Sequence, residues 1–292
     1  LEVTTLRRDV ETDGRHARVA YTDSWEEDAA RRDFTMNALS MDRNGTVHDY
    51  FGGIGDAMAG RVRFIGDAQA RIAEDALRML RYFRFLATHG APPADEDACL
   101  AIAAGLASWH HVSAERCAQE LQKLLAAPAP AFALRRMQET GLAQHVFGQM
   151  IMPAQLIRLH MLEGQASYQS SVAARLMLLT DTTQESGIDS LAARFKFSKH
   201  ARKQLVELHT MLPHALRDFG LPETTLLFDA PPYLHARLLR RHGAPAYLDR
   251  LLIEAVRRPA TAMHAHVEQA QNFRAPAFPV RAADLRAFHE HH

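Results

Sequence analysis

The sequence predicts a small α+β segment followed by an all-α array. Three observations predict it. Residues 1–66 hold short β-branched runs separated by glycine turns. Beyond residue 67, apolar residues recur at three- and four-residue steps. Ser, Pro and Gly punctuate that second part at helix-length intervals.

In chain order, residues 1–6 and 17–21 alternate and carry Val, Thr and Tyr, so they read as strands, with Asp13-Gly14 as the turn between them. Residues 47–50 and 62–65 are further strand candidates, set apart by Gly52-Gly53 and Gly60. Ser24 and Glu27 form a capping box for a short helix, and 34–41 reads as another helix. The helical part divides into 68–89, 95–107, 113–126, 129–140, 153–164, 168–180, 188–195, 199–217, 231–242, 244–257 and 260–273. Ser113 stands where an N-cap belongs, and Gly141 and Gly243 stand just past helix ends. No fixed period repeats, which excludes a regular solenoid family.

The stretch 71–87 organises the rest. It is expected as one helix, because its residues are strong formers and it holds neither Gly nor Pro. Leu77, Leu80, Phe83 and Ala87 make one apolar stripe. Arg71, Asp75, Arg78, Arg81 or Tyr82, and Phe85 make a second, charged one, with Arg84 on its flank. Such a face is most often a solvated, salt-bridged surface. The dense glycine and acid motifs just upstream argue for more.

Composition bounds the function. The 47% apolar and 23% charged residues of this 292-residue chain are those of a soluble globular protein with room for more than one domain. Lys+Arg and Asp+Glu are both 34, so net charge does not mark a nucleic-acid binder, and such a partner must be met by local clusters. Cys99 and Cys117 cannot build a disulfide framework, which fits a reducing, cytoplasmic compartment. No apolar run approaches the roughly 20 residues of a membrane span, and no signal-peptide pattern is seen. Seventeen histidines include His110-His111 and the terminal His289, His291 and His292, but no Cys or carboxylate pattern organises them into a metal site.

The motifs carry more. Arg31-Arg32-Asp33-Phe34-Thr35-Met36-Asn37-Ala38-Leu39 is followed by Asp49-Tyr50-Phe51-Gly52-Gly53-Ile54-Gly55-Asp56. Arg63-Phe64-Ile65-Gly66-Asp67 then leads to Glu74-Asp75-Ala76-Leu77-Arg78 and on through Arg81-Tyr82-Phe83-Arg84-Phe85. Each is weak alone. In this order and spacing they resemble the class II nucleotidyltransferases, the family of bacterial CCA-adding tRNA nucleotidyltransferases and bacterial poly(A) polymerases. The resemblance is specific over 1–90, looser through 115–125 and 131–147, and rests on helical character beyond about 150.

The resemblance implies an α+β head remnant with part of a nucleotidyltransferase sheet (1–66). An elongated all-α neck (67–127), body (128–200) and RNA-binding tail (201–292) follow. It implies a nucleotide site of Arg32, Asp33, Asp75, Arg78, Arg81 and Arg84 between head and neck. Arginine suits phosphate because its guanidinium stays charged and forks onto two oxygens. Cytosine and adenine each present an amino donor beside a ring-nitrogen acceptor; uracil and guanine present the reverse. Asp75 can accept from the amino group and Arg78 can donate to the ring nitrogen, and i and i+3 share a helix face. The pair would admit C and A and reject U and G, whose donors and acceptors would face their own kind. An intrahelical Asp75–Arg78 salt bridge is the alternative.

The family joins nucleotides with two Mg²⁺ ions held by a glycine-rich turn, an Asp-x-Asp pair and a third carboxylate on a later strand. Only Glu2 fits here, as that third carboxylate, catalytic and metal-binding. Asp9-x-Glu11 and Glu11-x-Asp13 mimic the spacing but are expected in a turn after the strand. The expectation is that the glycine turn and acidic pair precede Leu1 in the natural protein, and that this chain alone does not transfer nucleotides. Asp284-Leu285 opens what reads as a further helix shortly before the last residue, which also suggests a longer protein. RNA contacts are expected among Lys196, Lys199, Arg202 and Lys203, and among Arg237, Arg240, Arg241, Arg250, Arg257 and Arg258.

Three functions follow. The first is CCA addition to tRNA from CTP and ATP. The second is poly(A) synthesis from ATP, less favoured because no long, strongly basic C-terminal tail is present. The third is a catalytically silent RNA-binding or scaffold protein, which the gene upstream of Leu1 would decide.

Overall fold

The computed structural model describes residues 4–12, 17–258 and 263–274. The chain divides within one helix into two compact units, Leu1–His209 and Thr210–His292.

The first unit opens on a hairpin. Strand β1 (Arg7–Thr12) pairs antiparallel with β2 (Ala17–Tyr21), with a bulge between Asp9 and Glu11. Of the strand expected at 1–6, residues 1–3 lie outside the described residues and 4–6 are irregular; β1 begins at Arg7. Asp9 and Glu11 lie on this strand, not in a turn. The Asp13-Gly14 turn and Glu2 fall outside the described residues. Helix α1 (Trp25–Ala30) follows, and the Ser24 hydroxyl accepts from Glu27 N at 3.2 Å, as a capping box requires. The Glu27 carboxylate turns elsewhere, to the Thr22 hydroxyl at 2.6 Å.

The helix expected at 34–41 does not form. One 3₁₀ turn (Thr35–Asn37) leads into β3 (Ser40–Met41), paired with β4 (Val47–His48). Side chains won this contest. Asp33 accepts from Phe34 N and Asn37 Nδ2, and Thr35 donates to Asp56, so local polar bonds replace the helical ladder. Phe34 and Phe64 form an isolated bridge in place of the strand expected at 62–65. Helix α2 (Gly53–Ala59) comes between. The Asp49 carboxylate caps it, accepting from Gly53 N at 2.8 Å and Ile54 N at 2.9 Å.

The expected helix at 71–87 is two. Helix α3 (Ala68–Glu74), capped by Asp67 on Ala70 N at 2.6 Å, ends at Asp75, whose φ −154° and ψ 106° are extended. Helix α4 (Leu77–Thr88) restarts immediately. Strong formers predicted continuity. Asp75 instead folds its carboxylate onto Leu77 N at 3.1 Å, which starts α4 as a cap would. Helix α4 is buried almost all round. Met79, Leu80, Tyr82 and Phe83 are fully enclosed, and Tyr82 and Phe85 of the expected charged stripe are inside too. It packs on α6 (Ala114–Ala126) and α7 (Ala131–Glu139).

The remaining helices of this unit follow the punctuation. Helix α5 (Glu96–Gly105) is capped by Asp95 and runs into a 3₁₀ segment (Leu106–His111), while Ser113 caps α6 on Arg116 N at 3.3 Å. Gly141 ends α7, but at φ 85° it also starts α8 (Leu142–Phe147), too short to show a period in the sequence. Then come α9 (Pro153–Ala166), α10 (Val172–Leu179), α11 (Glu185–Arg194) and α12 (Lys199–Asp218), inside which the chain divides. Buried Arg175 ties this unit together: it donates to Leu125 O at 2.8 Å and Ala127 O at 2.6 Å, and pairs with Glu163 at 2.9 Å. It thus closes the C-terminal carbonyls of α6 from α10.

In the second unit, α13 (Pro232–Arg257) bends where expected. Gly243, at φ 79° and ψ 163°, leaves the helix and separates the two predicted stretches. Helix α14 (Met263–Asn272) packs against it.

Candidate nucleotide site

The Arg31–Phe34 segment lies along α4, and consecutive residues engage it. Arg31 O accepts from Arg78 Nη2 at 3.4 Å. Asp33 Oδ2 takes Arg81 Nε at 2.6 Å. Phe34 packs on Tyr82 and Phe85 with ring centroids at 6.2 and 5.0 Å. Four residues of α4, Arg78, Arg81, Tyr82 and Phe85, thus engage this one segment. Backbone bonds lock it from the other side, Thr35 N to Arg63 O and Ile65 N to Asp33 O.

Behind it sits Asp28. Burial pulls its pKa up, but Arg31, the Arg7 N–H and Arg32 outweigh that and hold it below the usual carboxylate range. Arg31 donates to it at 2.7 Å and Arg32 at 3.2 Å. Arg32 keeps a side chain 40% exposed.

The sequence-predicted residues are brought close along the chain but are partnered otherwise than expected. Arg78 does not pair with Asp75. It binds Glu74 in a short ion pair and reaches Arg71 O at 3.0 Å, while Glu74 also holds Arg71 at 3.1 Å. Asp75 pairs with Arg116 of α6, Nη2 to Oδ2 at 2.6 Å and Nη1 to Oδ1 at 3.3 Å. Arg84 lies 2.6 Å from Glu120 Oε2, an ionic contact off hydrogen-bond alignment, and stacks on Phe85 at 4.2 Å. Arg81 spans Asp33 and, at 3.6 Å, Glu120. Lys123 also reaches Glu120, which is buried among these cations.

Arg116, Glu120 and Glu74 are the participants that motif reading did not assign. Arg116 and Glu120 stand 28 and 32 residues beyond the end of α4, on another helix, and the α4–α6 packing brings them in. A charged residue in the first turn of a capped helix carries no signal of such a partner.

The Asp49 and Asp56 motif is a brace. Burial raises the Asp49 pKa, and backbone N–H groups of Ile54, Gly53 and Phe51 bring it below its usual range. Buried Asp56 accepts from the Thr35 hydroxyl at 2.6 Å and Arg63 Nε at 2.9 Å. Gly53 approaches so closely that a Cβ there would lie 2.3 Å from Thr35 O. These contacts set where Asp33 and Phe34 lie.

Among the described residues, no group of three or more His, Cys, Asp or Glu is placed to hold a metal ion. Glu2 lies outside the described residues. Several basic residues singled out for RNA are matched by acids: Lys196 with Glu115 at 2.7 Å, Arg202 with Asp189 at 2.6 Å, Arg237 with Asp218 at 2.6 Å. Arg250 is buried near Glu254. No helix among the described residues is long and apolar enough to cross a membrane.

The chain resembles known proteins in sequence and in fold. Residues 1–63 match the poly A polymerase head domain, and 95–152 match a family described as the probable RNA and SrmB-binding site of polymerase A. A mitochondrial CCA tRNA nucleotidyltransferase 1 of Danio rerio is 33% identical over 307 residues, spanning 98% of this chain and 64% of that protein. A CCA-adding enzyme of Geobacillus thermodenitrificans is 45% identical over 149 residues, 50% of this chain and 37% of that one. Among solved structures, the Bacillus stearothermophilus CCA-adding enzyme in complex with CTP superposes with TM-score 0.67 and 29% identity, over 91% of this chain and 62% of that one. The Thermotoga maritima CCA-adding enzyme complexed with tRNA shares the fold, at TM-score 0.58 and 15% identity, over 90% of this chain and 64% of that one. The chain spans less than two thirds of the length of these relatives.

Proposed function

The chain belongs to the class II nucleotidyltransferase family, and from that premise we propose that it selects CTP and ATP for addition of CCA to the 3′ end of tRNA. One observation carries the reading: at the α3–α4 junction an acceptor, Asp75, and a donor, Arg78, are each anchored by protein groups.

The chemistry follows from the base edges. Asp75 takes the amino hydrogen of C or A, and Arg78 gives one to the ring nitrogen. Uracil or guanine would set a carbonyl oxygen against a carboxylate and an N–H against a guanidinium, leaving both unsatisfied. A mismatch of this kind costs roughly 10- to 100-fold or more in selection. The two residues need not share a helix face for this. The break at Asp75 turns the acid off the α3 axis, and Glu74, Arg71 O and Arg31 O steady Arg78.

In the same reading Arg32 meets the triphosphate, with an exposed side chain that Asp28 steadies with one oxygen. Arg81 and Arg84 add positive charge beside it, with Asp33 and Glu120 fixing their heads. Mg²⁺ is the expected ion of the transfer step. The described residues do not assemble its site.

Poly(A) synthesis is the second reading, favoured by the description of the head-domain match. The Asp75–Arg78 pair admits adenine in either case. The deciding test uses protein expressed from its whole gene, offered tRNA lacking CCA with each nucleotide singly and then with CTP and ATP together. Three additions that stop are expected. An adenylate tail growing without limit on ATP alone favours poly(A) synthesis, and no addition under any condition favours a silent binding protein.

A further inference from the structure

We infer that Arg116 is a specificity-determining residue, which sets the orientation of Asp75 and thereby which bases the site accepts. The inference rests on the base-selecting reading of Asp75 and Arg78.

Asp75 sits where no helix holds it. Its backbone is extended between α3 and α4, so its carboxylate direction must come from side-chain partners. There are two. Leu77 N donates to Oδ1 at 3.1 Å, from the residue's own chain segment. Arg116 grips both oxygens from α6, at 2.6 Å to Oδ2 and 3.3 Å to Oδ1. A single N–H bond leaves a carboxylate free to pivot about it, whereas a two-pronged guanidinium fixes its plane.

Counting acceptor positions gives the consequence. Each carboxylate oxygen offers two lone-pair directions. Leu77 N and Arg116 Nη1 occupy those of Oδ1, and Arg116 Nη2 occupies one of Oδ2. One acceptor direction remains, on Oδ2, with its plane set by Arg116. A base offering one amino hydrogen at that edge fills it; a base offering a carbonyl oxygen cannot.

Stability does not explain the contact. The Arg116 side chain is 43% exposed, so water screens the pair and it adds little to folding. Arg116 is itself well placed: its backbone N–H is bound by Ser113 in the first turn of α6, and α6 packs on α4. The contact links two elements at the point of recognition.

The test measures equilibrium binding of CTP, ATP, UTP, GTP and inorganic tripolyphosphate to the chain and to Arg116→Gln, Arg116→Lys and Asp75→Asn, each confirmed folded by thermal melting. The unaltered chain should prefer CTP over UTP and ATP over GTP. Arg116→Gln should reduce those ratios roughly tenfold while leaving tripolyphosphate affinity unchanged. Arg116→Lys, a point charge without the fork, should fall between. Asp75→Asn with Arg116→Gln should lose no more selectivity than Asp75→Asn alone. Unchanged ratios in a folded Arg116→Gln overturn the role of Arg116 and leave the reading of Asp75 intact. An unaltered chain that binds all four nucleotides equally overturns both.

Discussion

At the residue scale, the site is a set of charges each held by an opposite charge or a backbone group. Arg78 shows how far this goes. Glu74, Arg71 O and Arg31 O all bind it, so its head is fixed by the protein itself. Such preorganisation makes its removal a selectivity defect more than an affinity defect. Arg78→Ala is therefore expected to cut discrimination between C or A and U or G by roughly tenfold or more, with tripolyphosphate binding unchanged. Nucleotide titrations check this, and equal loss for all four would assign Arg78 to the phosphates. The sequence singled out Asp75 and Arg78 as candidates but not their partners. Arg116 stands too far along the chain for periodicity to join it to Asp75. The intrahelical Asp75–Arg78 salt bridge, the alternative that helical spacing offered, does not form: Arg78 pairs with Glu74 and Asp75 with Arg116.

At the element scale, caps and turns were legible and continuity was not. Ser24, Ser113 and the Gly243 bend stand where local chemistry puts them. The break inside 71–87 and the short helix α8 were hidden, because formers such as Ala and Leu say nothing of an Asp that prefers its own backbone. The 34–41 stretch failed as a helix for the same reason, since Asp33, Asn37 and Thr35 spend their polar groups on other partners. Two measurements test the elements that position the site. Gly53→Ala forces a methyl against Thr35 O and should cost about 1–3 kcal/mol, read as a lower midpoint in urea. Arg175→Met strands Glu163 and frees the α6 carbonyls, and should cost about 3–5 kcal/mol. A double Arg175→Met, Glu163→Met variant should recover part of that loss, and a double loss equal to the sum of the singles would contradict the pairing.

At the scale of the whole molecule, the chain forms two compact units, and the second holds a buried histidine. In the Thr210–His292 unit, buried His235 has Nε2 2.9 Å from Ala230 O and Nδ1 2.8 Å from the Tyr247 hydroxyl. A carbonyl only accepts, so Nε2 carries the proton, and the Tyr247 hydroxyl can donate to Nδ1 of a neutral ring. Burial, then the neighbouring His266, hold its pKa below the ordinary 6.5. Below about 6.5 the unfolded chain binds a proton that the folded one refuses, so stability is full above that pH and falls as pH drops toward the folded value. The melting temperature of this unit should decline as pH drops below about 6.5. His235→Gln, which keeps one donor and one acceptor, should flatten that decline, and an unchanged slope would remove His235 from the account. The α+β start and helical remainder were legible from patterning. The expected body–tail boundary at 200–201 falls at the start of α12, and the chain divides further along the same helix, at 209–210.

The central claim is that this chain discriminates nucleotides by the pairing edge of the base. The most direct measurement is the affinity of the 292-residue chain for CTP, ATP, UTP and GTP under one condition. CTP and ATP are expected to bind at least roughly tenfold tighter than UTP and GTP. Four equal affinities would contradict it.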